Sequence, residues 1–132
     1  MSEKVIKNWL GLAEYDFQTA KAMIDSGRYL YVAFTCEQTI EKILKAIYAK
    51  EKDETPPYTH NLIKLLNTLS IFSSVDEEKT EFIELLNSYY IESRYTEEIS
   101  ELLKSLNREK AEEIFSKTEK LFLWLKEKIT RP

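Results

Sequence analysis

Three short stretches bring together side chains able to do chemistry. In Tyr89-Tyr90-Ile91-Glu92-Ser93-Arg94-Tyr95 a guanidinium stands among aromatic rings. Such a set can grip a phosphate through both ends of Arg94 while Tyr90 or Tyr95 stacks on a base. The plainer outcome is an ion pair with Glu97 or Glu98 one turn on, and the residues alone leave the choice open. Tyr58-Thr59-His60-Asn61-Leu62 holds the chain's one histidine. Just inside a helix N-terminus the dipole disfavours a protonated imidazole, so His60 reads as neutral, able to position a loop or to contact a ligand. Glu37-Gln38-Thr39-Ile40-Glu41-Lys42-Ile43-Leu44-Lys45-Ala46 sets Glu41 four residues before Lys45. That order favours a helical ion pair worth only ~0.3–0.5 kcal/mol.

Other chemistries find little support. Cys36 lies on an apolar stripe with Ala33 and Ile40 one turn away, which reads as a buried structural thiol rather than a nucleophile. A single histidine and a single cysteine provide no His/Cys metal site, and no glutamate precedes His60 at the Glu-x-x-His spacing of carboxylate metal bundles. No glycine-rich turn leads into a helix, so the usual phosphate cradles are missing. The carboxylate pairs Glu37 with Glu41 and Glu77 with Glu81 read as solvated helix faces. No metal and no cofactor is expected.

The elements that must position these groups are helices. The chain has 132 residues, 43% hydrophobic and 32% charged, enough for one domain over 1–132 with its own core. Two glycines and three prolines are too few for a many-turned β fold, and one cysteine cannot form an internal disulfide. Trp9, Ala13, Phe17, Ala20 and Ile24 recur at helical steps across residues 3–25, and Gly27 then supplies a left-handed cap. A second helix is expected from about Tyr29 to Lys52, roughly 35 Å long, ended by Pro56-Pro57. Thr59 is the expected cap of a short third helix burying Leu62, Leu65, Leu66 and Leu69. Ser74 and Glu77 resemble a capping box for a fourth, with Phe82, Leu85, Leu86 and Tyr89 inward. Ile99, Leu102, Leu103 and Leu106 either prolong that helix or form a short one of their own.

Asn107 should cap the last helix, whose core stripe runs through Ala111, Ile114, Phe115, Thr118, Leu121, Phe122, Leu125 and Ile129. The fold class is therefore all-α, an antiparallel up-and-down four-helix bundle with an additional short helix. Leu121-Phe122-Leu123-Trp124-Leu125 is apolar around the whole helix. Either the first helix covers it, through Trp9, or it is a self-association patch.

The net charge of −4 leaves no global basic footprint for nucleic acid, so any RNA contact must be local. Residues 76–101 carry nine acids against two bases, while residues 102–132 carry eight bases against five acids. Such asymmetry steers a partner, or it reflects solvated faces that differ. No run approaches ~18 apolar residues, so no membrane span is expected, and the N-terminus lacks a secretory h-region. The expected location is cytoplasmic.

Read together, these segments resemble the HEPN family, small helical domains named for higher eukaryote and prokaryote nucleotide binding. The resemblance rests on Ala13, Asp16, Phe17 and Ala20 in the first helix and on Gly27-Arg28-Tyr29 with Ala33-Phe34 at the start of the second. It continues through Gln38, Glu41-Lys42 and Leu44-Lys45-Ala46, then Thr59-His60-Asn61-Leu62 and Ser93-Arg94-Tyr95, all in the family's order. It implies a helical bundle that dimerises. It also implies a minimal nucleotidyltransferase as partner, often in a toxin–antitoxin or similar two-gene system. Catalytic members of the family are metal-independent ribonucleases with an arginine, four to six intervening residues and then a histidine.

Here the positions after Arg94 are Ile99, Ser100 and Glu101, and neither Arg28 nor Arg108 has a histidine at that offset. The linear motif is missing, and with it the general acid or base for a ribose 2′-hydroxyl. No catalytic residue is assigned. Arg94, Tyr95, Tyr90, His60, Glu41, Lys42 and Lys45 are the candidates for contacting a nucleotide or RNA. The leading expectation is a non-catalytic HEPN homodimer bound to a nucleotidyltransferase. The alternatives are a ribonuclease toxin with a non-standard site, using Arg94 with His60 or a tyrosine, and a plain helical interaction module.

Overall fold

The computed structural model describes residues 3–130, the side chain of Ser93 excepted, and shows an all-α chain with no strand among them. Six α-helices run in order: α1 Glu3–Asp25, α2 Tyr29–Lys52, α3 Leu62–Asn67, α4 Glu77–Asn87, α5 Thr96–Ser105 and α6 Arg108–Thr130. Short 3-10 turns at Ser70–Ser74 and Ile91–Ser93 lead into α4 and α5.

The long helices start and stop for the reasons their sequence gives. Gly27 adopts φ +75°, and behind it Arg28 N–H donates to the Met23 carbonyl and Gly27 N–H to that of Ile24, the paired bonds of a Schellman ending. Asp53 closes α2 in the left-handed region at φ 53°, ahead of the two prolines. Asn107 caps α6, its Oδ1 accepting from Lys110 N–H at 2.8 Å.

Two caps differ from expectation. Asn61, not Thr59, caps α3, accepting from Lys64 N–H at 3.1 Å, while Thr59 Oγ1 accepts from Asn61 N–H. Asp76, not Ser74, caps α4, because Ser74 is still inside the preceding 3-10 turn. An aspartate at that position accepts from Lys79 N–H at 2.8 Å and also pairs with its ammonium. The inward face of α4 carries Ile83 and Leu86 and continues to Tyr89, while Leu85 is exposed. Residues 96–105 form a helix of their own rather than prolonging α4.

α2 is the centre of the molecule. Fifteen of its 24 residues are buried, far more than one face supplies, and its most extensive contacts are with α1 and α6. α1 runs against it, since Asp16 meets Lys42 and Trp9 lies under Lys45. α6 runs against α1, since Glu14 pairs with Lys126 and Phe17 with Phe115, and so runs alongside α2 in the same direction, with Lys50 reaching the Ile129 carbonyl at the end. Phe17 of α1 stacks on Phe115 at 4.7 Å and meets Phe122 at 5.5 Å, sealing the α1–α6 seam.

The apolar window of α6 divides accordingly. Leu121, Phe122 and Leu125 are buried and Leu123 is exposed, while Trp124 lies between the ammonium groups of Lys79 and Lys128 at 4.9 and 5.1 Å. Phe17, rather than Trp9, is the α1 ring that covers this window. No helix is long and apolar enough to cross a membrane among the described residues.

Candidate functional site

The polar centre of the molecule lies on α2. Glu37, Glu41 and Lys45 follow one another a helical turn apart, and all three are buried, at 0%, 2% and 5% exposure. The reading of Glu37 and Glu41 as a solvated face is therefore wrong. A helix flanked on several sides has no solvated face at this height, so its charged groups must satisfy one another. Lys45 Nζ donates to Glu41 Oε2 at 3.1 Å, and His60 Nδ1 lies 3.0 Å from Glu41 Oε1. Gln38 Nε2 donates to Glu37 Oε2 at 2.7 Å and approaches Glu41 Oε1 at 3.5 Å. Gln38 Oε1 accepts from Lys42 Nζ at 3.0 Å, and Lys42 in turn pairs with Asp16 of α1.

This ladder has two electrostatic consequences. Burial pushes the Glu37 carboxyl up to about 8, against the lowering hydrogen bond from Gln38 and with help from the Glu41 charge. Glu37 is thus mostly protonated at neutral pH, and its Oε1 has no partner. Glu41, held by the Lys45 ammonium, orients His60 from behind. With Glu41 accepting at Nδ1, a neutral imidazole carries its proton there and turns its Nε2 lone pair to other uses.

His60 is half-buried, with 34% of its side chain accessible, and is the member of the group that reaches solvent most. It arrives from the loop before α3, which Asn87 Oδ1 anchors by accepting from Leu62 N–H at 2.8 Å. Its ring stacks on Tyr90, centroids 4.3 Å apart and planes within 15°, and meets Tyr58 edge-on at 5.7 Å. Tyr90 also touches Phe34 at 6.0 Å, and Phe34 touches Tyr31 at 6.5 Å, so five rings form a continuous path across this face. The Tyr90 hydroxyl donates to Glu92 at 2.8 Å, and partial burial together with that bond pushes its pKa up.

Arg94 has partners of its own. Its Nη1 donates to Glu98 at 2.8 Å and its Nη2 to the Ser88 carbonyl, while Nε is buried without a partner. Of the two pairings open in the sequence, the one with Glu98 forms. Arg94 borders an open cavity of about 370 Å³ with Ser88, Glu98, Glu101, Leu102 and Ser105. Two carboxylates beside one guanidinium make that cavity unwelcoming to a phosphate. Tyr95 is 80% exposed and makes no ring contact among the described residues.

Of the seven candidates, then, Glu41, Lys42, Lys45, His60 and Tyr90 form one connected network. Arg94 and Tyr95 lie outside it, and no hydrogen bond or ring contact joins Arg94 to His60. Gln38 and Glu37 belong to the network as well; the signal in the sequence is an unbroken i,i+4 run of Ala33, Glu37, Glu41 and Lys45 on a helix otherwise rich in small and apolar residues.

No group of three metal-ligating side chains occurs among the described residues. Cys36 is buried, and burial pushes its thiol up to about 12, in keeping with a structural role.

A profile described as HEPN domain matches residues 6–129. Among solved structures, that of TT1696 from Thermus thermophilus superposes with a TM-score of 0.77, covering 93% of this chain and 97% of that one at 24% identity. At that identity the likeness speaks to fold. No protein of curated function has significant sequence similarity to this chain.

Proposed function

This chain belongs to the HEPN domain family, and from that premise we propose that it is a non-catalytic member. In this reading it acts in the cytoplasm as a homodimer bound to a minimal nucleotidyltransferase, in a toxin–antitoxin or similar pair. Lys79 at the start of α4 lies by Trp124 and Tyr89 past its end by Glu113, so α4 runs against α6, which supports an up-and-down arrangement of α1, α2, α4 and α6 with α3 and α5 as short additions. The network of Glu41, Lys45, His60 and Tyr90 is the part of this surface that meets a nucleotide or nucleic acid. There Tyr90 and His60 offer stacking faces and Nε2 an acceptor. Lys42 extends the network toward α1, and Arg94 and Tyr95 flank it along the chain.

The observation that carries the non-catalytic reading is the separate engagement of the two groups a ribonuclease of this family would use together. Both Nη groups of Arg94 are taken by Glu98 and the Ser88 carbonyl, and His60 is taken by Glu41 and Tyr90. Arg94 has no histidine at the family's spacing. Incubating the purified protein with total RNA, with and without a nucleotidyltransferase, tests this. Intact RNA and a stable complex are expected, and cleavage abolished by Arg94→Ala would overturn the reading.

One observation favours the alternative of a ribonuclease with a non-standard site: a buried carboxylate holding a half-buried, solvent-reaching imidazole is how a general base is oriented. Cleavage that disappears in His60→Ala but survives in Arg94→Ala would select it. The plain interaction module is favoured by the local Arg94–Glu98 pair. It predicts that Arg94→Ala changes stability slightly and ligand binding not at all.

A further inference from the structure

The turn between α1 and α2 forms a second cleft, of about 210 Å³, remote in composition from the polar ladder. Gly27, Arg28, Tyr29 and Tyr31 line one side, and Leu103 and Leu106 from the end of α5 line the other. Its wall is apolar and aromatic, yet Tyr31 is 47% exposed and Leu103 56% exposed at its mouth. The backbone on the turn side is fixed: Gly27 holds φ +75°, and the Arg28 carbonyl accepts from both Tyr31 and Val32 N–H groups at 3.1 Å. The cleft is thus preformed.

Arg28 is the charged residue of the cleft lining. It is exposed, and its guanidinium pairs with no carboxylate among the described residues. A preformed apolar slot with an unpaired arginine in its lining is the arrangement that holds a small apolar body with an anionic head. Size narrows the class. A dry cavity of about 150 Å³ accommodates a benzene ring, so this cleft takes one ring or its aliphatic equivalent, and a nucleotide would enter by its base alone.

We propose that the Arg28–Tyr31–Leu103–Leu106 cleft is a binding site for a small aromatic or apolar anion, a carboxylate or phosphate monoester, with the ring against Tyr31 and the leucines and the anionic group on Arg28. The cleft shares Tyr31 with the far end of the ring path that begins at His60, but none of the polar groups of that network, and it does not depend on the partner reading.

The test is a titration of the full chain, labelled with ¹⁵N, with phenyl phosphate, benzoate and the neutral control benzyl alcohol. Saturable shifts are expected at the amides of Gly27, Tyr29 and Leu103 with both anions, and markedly weaker ones with the alcohol. Arg28→Gln should weaken the anions about tenfold, the loss of one charge-assisted contact, and leave the alcohol unchanged. Leu103→Glu, at an exposed position, should abolish anion binding by repulsion. Circular dichroism melts confirm that both variants fold. Adenosine monophosphate as a fourth probe separates sources: tighter binding than phenyl phosphate identifies a nucleotide base in the slot, and equal or weaker binding identifies a smaller aryl anion. Shifts that do not saturate, equal binding of the alcohol, or anion binding indifferent to both variants would overturn the proposal.

Discussion

Replacing Glu37 by glutamine should flatten the dependence of stability on pH. Glu37 is fully buried in α2, with one oxygen accepting from Gln38 and the other unpartnered. Burial raises its carboxyl from 4.5 to about 8. Below 4.5 the folded and unfolded chains both hold this proton, whereas between 4.5 and 8 only the folded chain does. Unfolding then releases a proton, so stability falls as pH rises through that window. Each pH unit inside it is worth about 1.4 kcal/mol. Moving from about pH 5.5 to about pH 7.5 should therefore remove roughly 2–3 kcal/mol from the wild type through this group.

Glutamine keeps an oxygen for Gln38 and has no proton to lose. The difference between wild type and Glu37→Gln, from urea denaturation at a series of pH values, cancels the other titrating groups. The variant should gain relative to the wild type as pH rises, and most of the gain should be complete by about pH 8.5. Parallel curves for the two proteins would refute the account of Glu37 as a buried, protonated acid.

Three further outcomes follow from the same geometry. Glu41→Ala strands the Lys45 ammonium at 5% exposure and should cost about 3–5 kcal/mol in chemical denaturation, against the few tenths an exposed helical pair is worth. Arg94→Ala removes a half-exposed pair with Glu98 and a bond to the Ser88 carbonyl, and should cost only about 1 kcal/mol in a thermal melt. Cys36, buried with its thiol pushed up to about 12, should resist iodoacetamide in the folded protein and react once urea unfolds it; rapid labelling in buffer alone would contradict its burial.

What the sequence made legible was local. The spacing of Trp9, Ala13, Phe17, Ala20 and Ile24, the glycine at 27, the prolines after α2 and the asparagine before α6 each act within a turn or two of chain, and the structure follows them. What stayed hidden depends on neighbours far along the chain. Glu37, Glu41 and Lys45 spell an ordinary surface pair until α1, α3 and α6 close around α2 and leave that pair nowhere to meet water. The cap of α4 was a contest between two nearby good caps, Ser74 and Asp76, that spacing does not decide, and its inward face, with Ile83 in place of Leu85, is set by what packs against it.

The site was half legible for the same reason. His60 and Glu41 stand 19 residues apart and meet only through the loop before α3, while Arg94 and Tyr90, neighbours in sequence, take different partners: Glu98 and the Ser88 carbonyl for the one, the His60 ring for the other.

The claim most in need of a direct answer is that this HEPN domain works as the non-catalytic partner of a nucleotidyltransferase. Tagged protein recovered from its native host, with its companions identified and counted by mass spectrometry, gives that answer. The account predicts a homodimer in stoichiometric complex with a nucleotidyltransferase, with cellular RNA intact. Recovery of the chain alone as a monomer, or of cleaved RNA whose cleavage is lost with His60→Ala, would contradict it.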